Sequence, residues 1–195
     1  MKRFAKVILT ALFLAPFALL AQVQVTYKLE YNMATSVYTV SMNSNTTYNP
    51  PTLSRIAGST QVSIVVPQIS GGWQVTDLTN LTALQWGFSF LDGSTLSLSQ
   101  DYLFFAPTNA AGYAPFLIPA NTDIPLFSFK SGSGCVGDLS LYHNTNDPLN
   151  AHPSVNADNN IVILGAGAGN KYVGNTSGNV ACALPCAANA GVLSY

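Results

Sequence analysis

Three cysteines, Cys135, Cys182 and Cys186, carry the most definite chemistry in this 195-residue chain. An odd number leaves one thiol over once a single intrachain bond forms. Cys135 with Cys182 is the favoured pair, because it staples the C-terminal segment to the middle of the chain. Closing a loop of that length stabilises a fold by about 4 kcal/mol in the chain-entropy treatment. Cys182 with Cys186, across Ala183-Leu184-Pro185, is the competing pair and closes only a very short loop. The odd thiol near the C-terminus either joins a second chain or stays inert. Zinc needs four ligands at characteristic spacing, and a C-x3-C pair with one distant cysteine falls short of that.

Oxygen ligands are densest at Asp138, Asn144, Asn146 and Asp147, followed by Asn150, Asn156, Asp158 and Asn159. Calcium takes six to eight oxygens from carboxylates, amides and backbone, so this set offers suitable chemistry. It lacks the alternation, the central Gly and the terminal Glu of an EF-hand loop. Asn and Asp also bond their own backbone in turns between strands, which is the competing reading; no other cofactor is implied. Trp73, Tyr113, Phe116 and Tyr172, with Tyr48, lie in or beside loops. There an aromatic face either stacks on a sugar ring or partner protein or covers the end of the core.

Chemistry of the catalytic kind is harder to assemble. His143 and His152 are nine residues apart across a polar segment, Glu30 is the sole glutamate, and no nucleophile, base and orienting group converge. The GAGAGN run from Gly165 lacks the helix and the Lys of a phosphate cradle, leaving a turn or tight strand packing. The expectation is a chain that is not an enzyme.

The elements that must position these residues read as strands. Val23, Val25, Tyr27, Leu29 and Tyr31 alternate with polar residues, and Tyr38, Val40 and Met42 do the same after a short turn, predicting an antiparallel hairpin. Val62, Ile64 and Val66 form the inward face of a third strand that Pro67 ends. Gly71-Gly72 opens another with Trp73 and Val75. Trp86, Phe88 and Phe90 line one face of the next, a row of three aromatics that reads as core. Asp92-Gly93 turns the chain toward Leu96 and Leu98 and then Tyr102 to Ala106. From Asp123 to His143, Phe127 and Phe129 on one strand and Cys135, Leu139 and Leu141 on the next predict a hairpin around Ser131-Gly132-Ser133-Gly134. Pro107 to Thr122 is either a long loop or carries a short edge strand around Phe116 to Ile118, and Ile161 to Leu164 reads as a short strand. No helical period is sustained anywhere. The expectation is all-β: a two-layer antiparallel β-sandwich, jelly-roll or Ig-like, of about nine strands.

Composition places that domain. Lys2, Arg3 and Lys6 precede an apolar run from Val7 to Leu20 and then Ala21, the pattern of a secretory signal peptide over residues 1–21. The β-sandwich domain is then 22–186, with a tail at 187–195, and the run is too short for a membrane span. Beyond the signal, four basic residues stand against eight acidic ones, a net charge of about −4, with no basic cluster to recruit nucleic acid or an anionic membrane. Charged residues make up only 8% of the chain. A surface of neutral hydroxyls and amides leaves little repulsion between copies, so self-association is open.

In their order, YKLEYNMATSVYTVSM, a V-x-I-x-V strand, LFSFK, G-x-G-C-V-G-x-L, NTNDPL and a late Y-V-G-N resemble secreted β-sandwich domains of Bacteroidota-type surface proteins. In outline those are similar to cohesins and carbohydrate-binding modules. The resemblance implies a secreted or cell-surface adhesion, scaffolding or matrix role and brings no catalytic residues. The functional expectation is a non-enzymatic extracellular module contacting glycan or protein partners; the alternative is a structural subunit of an extracellular matrix or fibre.

Overall fold

Val25, Tyr27 and Leu29 alternate with Thr26, Lys28 and Glu30, and the apolar three are at most 1% exposed, so one face of the first strand is fully buried. The computed structural model describes residues 22–48, 59–108 and 117–182. Within them are nine strands: β1 (Val25–Asn32), β2 (Val37–Ser44), β3 (Val62–Pro67), β4 (Val75–Asn80), β5 (Trp86–Leu91), β6 (Gln100–Pro107), β7 (Ile124–Ser131), β8 (Ser140–Leu141) and β9 (Tyr172–Asn175). They form a five-stranded sheet in the order β4-β7-β2-β1-β9 and a four-stranded sheet in the order β5-β6-β3-β8. The all-β, two-sheet architecture is as expected from the alternation. Two short 3-10 turns, Gly93–Leu96 and Pro148–Ala151, are the helical content of the described residues.

The inner faces meet in one aromatic core. Phe127 of β7 lies with its ring centroid 4.6 Å from Phe105 of β6 and 4.7 Å from Trp86 of β5, bridging the sheets. Phe129 continues the contact at 5.1 Å from Phe105 and 5.3 Å from Tyr38 of β2. A second, smaller core lies on the outer face of the four-stranded sheet. There Val65, Tyr102 and Tyr142 are covered by Leu149 and Ala157 of the loop that follows β8.

Several expectations are corrected. The hairpin expected over Asp123 to His143 does not form: β7 lies between β4 and β2, whereas β8 pairs with β3 in the opposite sheet. Phe127, Phe129, Leu139 and Leu141 do all face the core, but from opposite sides of it. A period of two reports that a strand has a buried face and not which sheet owns it. The paired strands are antiparallel except β1 and β9, which run parallel. Ile161 to Leu164 is not a strand: Ile161 and Ile163 plug the core, and the Ile161 N–H donates to Asn170 Oδ1 (2.9 Å) instead of to a ladder. The turn expected at Asp92-Gly93 is present, a 3-10 turn that holds Leu96 and is left at Leu98, its start capped by Asp92 Oδ1 accepting from Ser94 N (2.9 Å). Finally, Phe88 and Phe90 are 43% and 36% exposed, so only Trp86 of that aromatic row is core.

Candidate functional site

The disulfide pairs Cys135 with Cys182, 47 residues apart, fastening the chain after β9 to the crossing between β7 and β8. Cys186, Tyr113, Phe116, the apolar N-terminus and the tail at 187–195 lie outside the described residues.

The Asx-rich segment is wired into the fold. Asp147 Oδ1 accepts from Leu149 N (2.9 Å), capping the second 3-10 turn, and from the Tyr102 hydroxyl (2.9 Å). Asn144 and Asn159 exchange two bonds, each 2.9 Å, between the Asn144 amide and the Asn159 backbone. Asn159 is wholly buried, and its amide inserts into the β3–β8 ladder: Oδ1 accepts from Ser63 N (2.7 Å) while Nδ2 donates to Tyr142 O (2.8 Å). Ser63 O already receives Tyr142 N (2.9 Å), so the side chain replaces the return bond of that pair. This wedge explains why β8 is only two residues long. Asp138 and Asn146 are exposed, away from these bonds. Among the described residues no group of three or more His, Cys, Asp or Glu side chains comes together as a metal site.

The glycine-alanine run after Leu164 is a turn in which Gly165, Gly167 and Gly169 all take positive φ. Lys171, 2% exposed, bends back and donates from Nζ to Ala168 O (2.8 Å), closing the turn from inside.

Of the loop aromatics, Trp73 and Tyr172 do not come together. Trp73 is buried, its indole N–H donating to Pro67 O (2.8 Å). Tyr172 is half-buried against Tyr27 (5.1 Å) with its hydroxyl on Asn175 Oδ1 (2.7 Å). Trp73 precedes β4 and Tyr172 starts β9, the two opposite edges of the five-stranded sheet, roughly 19 Å apart at the usual strand spacing.

Exposed aromatic surface lies instead on β5. Phe88 and Phe90 point inward with Trp86, but β5 is an edge strand, and the core thins there. Beside Phe90 a cleft of about 520 Å³ opens, lined by Gln68, Gly72, Phe90, Asp92, Ser94 and Asp101. Its floor is Asp101, 2% exposed, whose Oδ1 accepts from Gly93 N (3.0 Å); burial raises its pKa above the ordinary carboxylate value. Gln68 Nε2 donates to Leu98 O (2.9 Å) and ties the two walls together. A Cβ on Gly72 would lie 3.3 Å from the Phe90 ring, so glycine is what lets that wall close on the aromatic. Sequence reasoning missed this surface because nothing in a W-G-F-S-F-L alternation distinguishes an edge strand from a central one.

Fold and surface together define a two-sheet β-sandwich with an open aromatic edge and an adjoining polar cleft. No protein family, curated protein or solved structure matches this chain. Among the described residues no helix is long and apolar enough to cross a membrane.

Proposed function

We propose that the chain is a non-enzymatic binding and adhesion module of the extracellular space or cell surface, whose contact surface is the β5 edge with the Phe90 cleft. The signal-like N-terminus and the resemblance to secreted sandwich domains support the location. One observation carries the contact surface: of two partly exposed phenylalanines on one strand face, Phe90 lines a cleft with Gln68, Asp92 and Ser94. Apolar ring faces beside a few convergent amide, carboxylate and hydroxyl groups suit either a sugar ring, which offers an apolar face and a hydroxyl rim, or a protein side chain.

The test is a glycan array and an affinity capture from surface extracts, run with wild type and with Phe90→Ala. Binding by wild type that falls at least about tenfold in Phe90→Ala, with the melting temperature held, is the expected result. Blank arrays and blank captures for wild type defeat the proposal.

The alternative, a structural subunit of a matrix or fibre, draws on the same open edge, since an unpaired strand is a template for another chain.

A further inference from the structure

The two sheets present four edges, and three of them are blunted. β4 carries a bulge between Thr76 and Thr79, with Asp77 at φ +51° and its carboxylate on Lys130 (3.0 Å). β9 has four residues, including Gly174 at φ +157°, and β8 has two. β5 alone runs six residues in unbroken register with its neighbour, with no charge, proline or bulge. Short strands, charges and bulges are how sheets avoid pairing with other chains, and β5 has none of these devices.

The phase of its free backbone groups is fixed. Thr108 N donates to Gln85 O (2.7 Å), and Gln85 stands opposite Thr108 in the β5–β6 register, so this is a hydrogen-bonded pair. Such pairs alternate along an antiparallel ladder, so Gly87, Ser89 and Leu91 turn their N–H and C=O to β6. Trp86, Phe88 and Phe90 turn theirs outward. The Trp86 N–H is already taken by Asn80 Oδ1 (2.9 Å), which leaves both groups of Phe88 and both of Phe90 without a partner among the described residues.

We infer that β5 pairs antiparallel with β5 of a second copy about a two-fold axis through Ser89, joining two four-stranded sheets into one of eight strands. This deepens the binding reading above and rests on it only for the β5 edge as a contact surface. Setting Phe88 opposite Phe90 of the second copy, and the reverse, uses those four groups of each copy, eight in all, in four hydrogen bonds. It also makes two cross-strand aromatic pairs, which are favourable on a shared face. A register centred on Phe88 would instead need the Trp86 N–H that Asn80 already holds.

Charge permits it: the two Asp92 carboxylates fall at opposite ends of the paired strands, roughly 20 Å apart by strand rise and beyond the screening length. The ring surface left open on Phe88 and Phe90 is about 160 Å² per copy, taking about 200 Å² for a whole Phe. The pair therefore covers about a third of the roughly 1,000 Å² that a durable interface needs, which makes this a concentration-dependent contact.

The test uses the two-fold axis. Ser89 is exposed, and in this register it lies beside Ser89 of the second copy at about 4.5 Å between Cα atoms. Sedimentation equilibrium of the purified chain carrying Cys186→Ser, from about 10 μM to about 1 mM, should show the average mass rising toward twice the monomer. Ser89→Lys and Ser89→Glu should each weaken association more than about tenfold, and an equimolar mixture of the two should restore it. Phe88→Pro, which keeps every bond from β5 to β6 and deletes one outward N–H, should weaken association as well. Unchanged circular dichroism certifies the fold of each variant.

A wild type that stays monomeric throughout, charged variants that associate like wild type, or a mixture that fails to recover would each overturn the pairing. Loss of glycan and protein capture with this pattern intact would remove the ligand reading and leave the self-pairing standing.

Discussion

Replacing Asn159 tests the claim that a side-chain amide has been built into the β3–β8 ladder. In Asn159→Leu the Ser63 N–H loses its acceptor inside the fold, which costs about 2 kcal/mol for an unsatisfied buried donor. Tyr142 O loses one donor but keeps Asn175 Nδ2 (3.0 Å), so its share is smaller, about 1 kcal/mol. The apolar side chain also prevents the two strands from closing to make the bond directly. A total of about 3 kcal/mol corresponds to a fall of about 6–12 °C in melting temperature for a domain of this size. Asn159→Ala should cost less, because the vacated space lets the ladder close or admits water. Asn159→Asp retains the acceptor for Ser63 and sets a buried carboxylate against Tyr142 O, so its pKa rises. Its deficit should therefore be full at neutral pH and shrink as pH falls, when the protonated acid again donates to Tyr142 O. Calorimetric scans between about pH 4 and pH 8 read all three. A leucine variant within about 2 °C of wild type, or an aspartate variant whose deficit ignores pH, would refute the wedge.

Substituting both Cys135 and Cys182 by Ser releases a 47-residue separation and should cost about 4 kcal/mol, or about 8–16 °C, in a Cys186→Ser background; a change under about 2 °C would show that the bond contributes nothing. Burial pushes Tyr38 and Tyr142 up to about 12 and raises Tyr27, Tyr102 and Tyr172 too. Because the folded values exceed the unfolded one near 10, this stabilisation is complete below about pH 10 and is lost as pH rises through about 12. The tyrosinate absorbance of these five should thus rise together with loss of the sheet signal in one alkaline transition, whereas ionisation of these five in the intact fold near pH 10 would contradict their burial. Since Asp147 Oδ1 accepts from Leu149 N and Tyr102 and Asn144 Oδ1 from Asn159 N, added calcium or a chelator should leave the melting temperature unmoved. A site saturated a hundredfold would raise stability by about 2.7 kcal/mol, a shift easily seen.

Alternation made β1, β2 and β3 legible with their buried faces, and loop-closure reasoning picked out the Cys135–Cys182 pair. Partners were harder to read. Leu139 and Leu141 alternate like a strand beside β7 yet belong across the core, because the glycine-rich link changes sheets instead of reversing within one. Phe88 and Phe90 have the same pattern as Val62 and Ile64, but among the described residues β5 has no neighbour on its far side, and strand position within a sheet leaves no mark on the strand's own sequence. Tyr172 to Asn175 runs parallel to β1 through contacts nearly 150 residues apart, which no local spacing encodes.

The neutral polar composition has a structural use that strand patterning alone does not suggest. Where ladders stop, side chains stand in for the missing backbone partner: Asn45 Oδ1 accepts from Gln24 N, Asn80 Oδ1 from Trp86 N, Asn170 Oδ1 from both Ile161 N and Tyr172 N, and Ser177 Oγ from Leu29 N. Amides and hydroxyls do this without the desolvation cost of an ion, so a chain with few charges can end its strands inside the fold. Against that background the outward groups of Phe88 and Phe90 are the exception, since among the described residues no side chain closes them. A sequence that supplies a surrogate at so many other strand ends, and puts two half-open phenyl rings where it supplies none, leaves β5 as the edge through which the sheet can grow.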